Sequence, residues 1–171
     1  MNTALRCNDP VLIIEHVELF QTLGPQPKDD PDHCLPFGRA RVVRPGSACT
    51  VLAAAAMVKP AVEAAASAGI DAEVIDLRTL DPLGLDWATV SASLARTHRA
   101  LVVEQTARGH GIGARIVQEL QERCFDQLDH EILRVTGSQA APVVSRPLNH
   151  AALAGAADIA NGLRQVMGRA A

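Results

Sequence analysis

Tyrosine is absent, and aromatic residues make up only 2% of this 171-residue chain: Phe20, Phe37, Trp87 and Phe125. Platforms for stacking single-stranded nucleic acid are therefore missing. An excess of one charge is also missing. Sixteen Lys and Arg stand against 19 Asp and Glu, a formal net charge of −3, so there is no basic footprint for nucleic acid. Cysteines are few. Cys7, Cys34, Cys49 and Cys124 lie 27, 15 and 75 positions apart, and with no CxxC a zinc ribbon or thioredoxin-type motif is excluded. The six histidines (His16, His33, His98, His110, His130 and His150) offer no HxxxH or HxH pair for a metal. Neither a GxSxG elbow nor a phosphate-binding GxxxxGK[ST] loop occurs. Met1 to Asp9 is polar and Val11–Ile14 is a short apolar run, so nothing reads as a signal peptide. The longest apolar run, Val51–Val58, falls far short of a membrane span. The expectation is a soluble cytoplasmic protein in a reducing compartment, with free thiols and with neither nucleic acid nor membrane as partner.

What is present is aliphatic. Hydrophobic residues reach 48%, and 29 residues are alanine. The length suits one domain with a short appendage. Its core must come from Ala, Val, Ile and Leu, which lets elements approach closely.

Val11 to Glu15 reads as a strand. Gly24 to Gly38, with four prolines, reads as a linker. From residue 50 strand and helix alternate. Strands are expected at Thr50–Ala54, Ala72–Leu77, Ala100–Glu104 and Ile132–Thr136. A helix over Met57–Ala68 tolerates Pro60 in its first turn and stops at Gly69. Asp86 caps a helix bearing Trp87, Val90 and Leu94 on one face. Ile112, Ile116, Val117, Leu120 and Cys124 make the stripe of another, and Ile159, Leu163, Val166 and Met167 that of a C-terminal helix. Strands separated by helices run parallel with right-handed crossovers. The fold class is α/β, a doubly wound, mostly parallel sheet flanked by helices.

Ligands in such folds bind at the strand C-terminal edge. Three turns there are candidates. Arg78-Thr79-Leu80-Asp81-Pro82 carries an arginine and a carboxylate, whose default role is to satisfy the turn and each other. Glu104 to Gly113, EQTARGHGIG, turns into a helix N-terminus, where free amides favour an anion. Gly109, His110, Gly111 and Gly113 are the anion-binding candidates. The spacing is GxGxG rather than the dinucleotide GxGxxG, and tight packing or a subunit contact is the other reading. Thr136-Gly137-Ser138 is small and polar and adds little.

Four segments in order resemble a known family. They are DHCLPFGRARVVRPGSACTVLAAAAMVKPAVEAA (32–66), DAEVIDLRTLDPL (71–83), LVVEQTARGHGIGARI (101–116) and FDQLDHEILRVTG (125–137). Together they resemble the C-terminal, transketolase-like domain of the beta subunit of thiamine-diphosphate 2-oxoacid dehydrogenases, the enzymes for pyruvate, branched-chain 2-oxoacids or acetoin. The resemblance covers about residues 8–168. It implies that 1–23 is a remnant of the pyrimidine-binding domain, 24–38 the linker and 39–171 the transketolase-like domain. It also implies that no catalytic or cofactor-binding residue lies on this chain, with thiamine diphosphate and magnesium held only in the assembled complex. Glu15 and His16 match a later position than the family's catalytic acid and histidine. The implied partners are an alpha subunit, a second beta subunit and the subunit-binding domain of the acyltransferase, which would dock near Leu128 and Asp129. The chain departs from the family pattern at His130-Glu131, at Pro142-Val143-Val144 and at Leu148-Asn149. Two other readings stay open: a stand-alone module binding an anion or a partner at the strand edge, and a folded remnant of a truncated gene.

Overall fold

The protein is described from a computed structural model covering residues 1–24, 30, 32–81, 84–139 and 144–168. Pro82 and Pro142-Val143, singled out above, lie outside the described residues, as does part of the expected linker.

Five strands form one sheet: β1 (Arg41–Arg44), β2 (Cys49–Ala53), β3 (Ala72–Asp76), β4 (Ala100–Ala107) and β5 (Leu133–Gly137). Their spatial order is β1-β3-β2-β4-β5. β2, β3, β4 and β5 are parallel to their neighbours, whereas β1 runs antiparallel along β3. The sheet is therefore mixed. The α/β class and the parallel centre agree with the sequence reading, and the antiparallel edge strand is new. Gly46 makes the return from β1 possible: a Cβ there would lie 2.4–2.5 Å from backbone atoms of Asp71, Ala72 and Glu73.

Helices cover both faces because the side-chain period of a strand is two. Cys49, Val51 and Ala53 of β2, Ala72 and Val74 of β3, and Leu101 and Val103 of β4 face α2 (Val58–Ala68) and α6 (Ala156–Val166). Their neighbours Leu52, Ile75, Ala100 and Val102 face α3 (Trp87–Thr97) and α4 (Gly113–Cys124). Small residues set the spacing. Ala61, Ala64 and Ala65 are wholly buried on α2. At Gly162 of α6, a Cβ would come within 2.7 Å of Val135 Cγ2. A buried hydroxyl cluster joins Thr50 of β2 to Ser93 and Thr97 of α3, at 2.6 Å each.

Local signals end the helices as expected. Gly69 adopts φ 62° after α2, the left-handed form glycine takes without a Cβ penalty. Asp86 caps α3, its carboxylate accepting the Thr89 N–H at 3.1 Å. Two short helices were not expected: α1 (Asn2–Arg6) and α5 (Arg146–Ala152).

The strand expected over Val11–Glu15 does not form. The apolar, β-branched run is there, but a strand needs a neighbour to complete its ladder, and none lies beside it among the described residues. Instead the chain runs extended and enters a 3-10 turn at Val17–Gln21. Leu12, Ile14 and Leu23 are 85%, 70% and 98% exposed.

Candidate functional site

The sheet order reverses between β2 and β4, the switch point at which open α/β sheets form their ligand crevice. Two non-glycine residues at this edge hold left-handed backbone: Ala55 (φ 49°) after β2 and Arg78 (φ 56°) after β3. The Arg78 N–H donates to Asp76 Oδ1 at 3.2 Å, and Arg78 Nε lies 3.7 Å from Asp76 Oδ2. The Thr79 hydroxyl accepts the Gly38 N–H at 3.0 Å, and Asp81 O accepts the Gly84 N–H. The turn thus ties the start of the domain to β3. A groove of about 780 Å³ separates it from residues 7–14. Its lining includes Arg78 and Asp81 on one side and Val11 and Ile13 on the other.

The β4–α4 loop holds the densest polar geometry in the molecule. Glu104 is the last buried residue of β4, three positions before the strand ends. Its Oε2 accepts the Gly113 N–H at the first turn of α4, at 3.0 Å. Its Oε1 accepts Arg134 Nε of β5 at 2.6 Å. The Arg134 guanidinium also donates to the carbonyls of Arg108, at 2.7 Å, and His110, at 3.2 Å. Thr106 Oγ1 donates to the same His110 carbonyl. A carboxylate thus sits where the free amides and dipole of α4 favour negative charge, and a fork of N–H donors closes the loop around it.

The glycines at 111 and 113 are there for that carboxylate. A Cβ at Gly113 would stand 2.5 Å from Glu104 Oε1, and one at Gly111 2.4 Å from Glu104 Oε2. Gly111 also holds φ 88°. Gly109 meets nothing within 4 Å, and both it and His110 are exposed. Of the anion-binding candidates, then, Gly111 and Gly113 come together around Glu104, while Gly109 and His110 face solvent. Arg134, which completes the arrangement, was not legible as a site residue. It lies 30 positions from Glu104, on a different strand.

The remaining candidates are separate. Leu128 packs against the α3–α4 core. Asp129 is exposed, and its N–H donates to the His98 carbonyl at 2.9 Å. Thr136 Oγ1 donates to the Gly137 carbonyl, and Ser138 N–H to that of Ala152. Among the described residues no group of three or more His, Cys, Asp or Glu could hold a metal ion. The family resemblance implies a diphosphate cofactor with magnesium, and these residues do not fit it. The Gly113 amide at the start of α4 is already bonded to Glu104, and no acidic cluster for the ion stands among the described residues.

Comparison with known proteins places this geometry. The family profile described as "Transketolase, C-terminal domain" matches residues 38–159. The chain belongs to that family. Its curated relatives include the pyruvate dehydrogenase E1 component subunit beta of Porphyra purpurea, 37% identical over 145 residues, which cover 83% of this chain and 42% of that protein. The subunit of the same name from Bacillus subtilis (strain 168) is 36% identical over 152 residues, 87% of this chain and 45% of that one. A solved structure entitled "Split gene transketolase, inactive beta4 tetramer" superposes with a TM-score of 0.65 at 23% identity, over 85% of this chain and 46% of the other. That likeness carries the fold. The chain spans less than half the length of the curated relatives it matches. In this member of the transketolase C-terminal family, the Gly113 amide at the start of α4 is taken by Glu104 of the same chain. No helix is long and apolar enough to cross a membrane among the described residues.

Proposed function

We propose that this chain is the C-terminal assembly half of a 2-oxoacid dehydrogenase beta subunit, a scaffold that joins subunits and leaves the thiamine chemistry to the other half. The observation that carries the reading is the N-terminal arm. The body buries its apolar residues on both faces of the sheet. Residues 11–23, by contrast, turn a run of large apolar side chains to solvent. Exposed apolar stretches of this kind belong to interfaces. The proposed partners are an alpha subunit, a second beta subunit and the acyltransferase's subunit-binding domain, the last near Asp129. Thiamine diphosphate and magnesium would be held by the assembled complex. Four free thiols favour a reducing, cytoplasmic setting.

The test is reconstitution. Purified chain is mixed with an alpha subunit and a separate chain carrying the pyrimidine-binding domain, and 2-oxoacid decarboxylation is followed. Activity that appears only when all three are present supports the proposal. No activity in the three-chain mixture, or turnover by the 171-residue chain unaided, refutes it. Calorimetry on the isolated chain should register no binding of thiamine diphosphate, and tight binding would count against the reading.

A further inference from the structure

The crevice between β2 and β4 is already spanned by the chain's own arm. His16 Nε2 donates to Gln105 Oε1 of β4 at 2.7 Å. One residue later the 3-10 turn Val17–Gln21, its side chains exposed, runs close beside the short turn Ala55–Met57, which leads from β2 into α2 and itself lies close to β4. The arm therefore contacts both walls of the switch point. His16 is the pivot. Its ring is half-buried, and Nδ1 is enclosed without a hydrogen-bond partner, so the ring is seated by Nε2 alone. The turn it caps is closed at its two ends by backbone bonds, Leu19 N–H to the His16 carbonyl at 2.9 Å and Thr22 N–H to the Leu19 carbonyl at 3.0 Å. Ala55 beneath it holds left-handed backbone at φ 49°. Strain of this sort persists where surrounding contacts over-determine it.

We infer that residues 16–21 form a strap seated across the β2–β4 crevice and latched by the His16–Gln105 hydrogen bond. The place where doubly wound folds take small ligands is here a seat for a segment of the same chain. The strap's outward side, with Val17 and Phe20 exposed, is thereby held at a defined position on the domain. This inference does not rest on the proposed function.

The latch is tested on the full chain by limited chymotrypsin digestion, scoring cleavage after Phe20 by mass spectrometry. Trp87, the one tryptophan, reports unfolding of the body. Gln105→Met keeps the shape of the side chain and removes the acceptor. It should raise the cleavage rate roughly tenfold, the worth of one hydrogen bond, with the Trp87 unfolding midpoint unchanged. Gln105→Glu keeps an acceptor and should cleave at the wild-type rate. His16→Leu, whose change lies outside the sheet, should match Gln105→Met. Wild-type cleavage in both Gln105→Met and His16→Leu would overturn the latch. So would equal acceleration in Gln105→Glu, or a Trp87 midpoint that falls in step with cleavage, since Gln105 would then be supporting β4 itself.

Discussion

Glu104 Oε2 accepts the backbone N–H of Gly113 at 3.0 Å, so the last inward residue of β4 caps the helix that follows it. The pair explains two features at once: why a charged residue is buried within a strand, and why the following loop is rich in glycine. Arg134 completes the neutralisation from the neighbouring strand, as a buried carboxylate requires.

Gly113→Ala should be among the most disruptive small substitutions in the chain. The new Cβ would stand 2.5 Å from Glu104 Oε1 and 2.7 Å from Glu104 Cδ. Displacing the carboxylate breaks its bonds to Gly113 and Arg134, and the expected loss is ~2–4 kcal/mol in urea unfolding. Glu104→Ala alone strands Arg134 and should cost a similar amount. The double variant should cost clearly less than the sum, because the clash needs both residues. Strict additivity would show that the two do not act through each other.

Asp86 should make stability depend on acid. Burial works to raise its pKa, but the N–H and hydroxyl of Thr89, the N–H of Ala40 and the nearby Arg39 charge outweigh burial and hold it below the ordinary 3.8. The folded state therefore binds this proton less readily than the unfolded chain. Its contribution is complete above the unfolded value and fades as pH falls through the folded one. Asp86→Asn should flatten that part of the stability profile below pH 4, and Asp86→Ala should cost about 1 kcal/mol at neutral pH through loss of the cap. An unchanged acid limb in Asp86→Asn would contradict the assignment.

The four thiols should react in two classes. Burial pushes Cys49 up to about 12, against a smaller opposing effect of Arg99. Cys124 is buried, while Cys7 is half-buried and Cys34 exposed. At neutral pH a disulfide reagent should titrate Cys7 and Cys34 quickly in the native protein, and Cys49 and Cys124 only on unfolding. Rapid labelling of Cys49 without denaturant would mean that β2 opens locally.

The arm should matter for association and not for folding. Leu12→Glu with Ile14→Glu alters side chains that point to solvent, so the Trp87 unfolding midpoint should stay within about 0.5 kcal/mol of wild type. The same variant should fail to restore decarboxylation in the three-chain mixture. Undiminished restoration would show that the arm is not the joining surface.

Short-range information carried much of this molecule. The apolar runs from residue 50 onward placed β2, β3, β4 and β5, and the helical stripes placed α2, α3, α4 and α6. Asp86 and Gly69 marked their ends. These depend on residues within one or two turns of each other, where a sequence pattern and a local conformation determine one another. β1 was missed because RVVR is four residues long and owes its conformation to pairing with β3.

Sequence alone thus settled the class of fold, the two-faced core and the family resemblance, because each is written in spacings along the chain. Only the folded structure decided that Val11–Glu15 is not a strand, since a ladder exists only where a neighbour lies alongside. Only the folded structure brought Glu104, Gly113 and Arg134 together, and His16 to Gln105, which is 89 residues away. Whether an amide at a helix start awaits a ligand or already holds a carboxylate is a matter of distance in space, and no spacing in the chain encodes it.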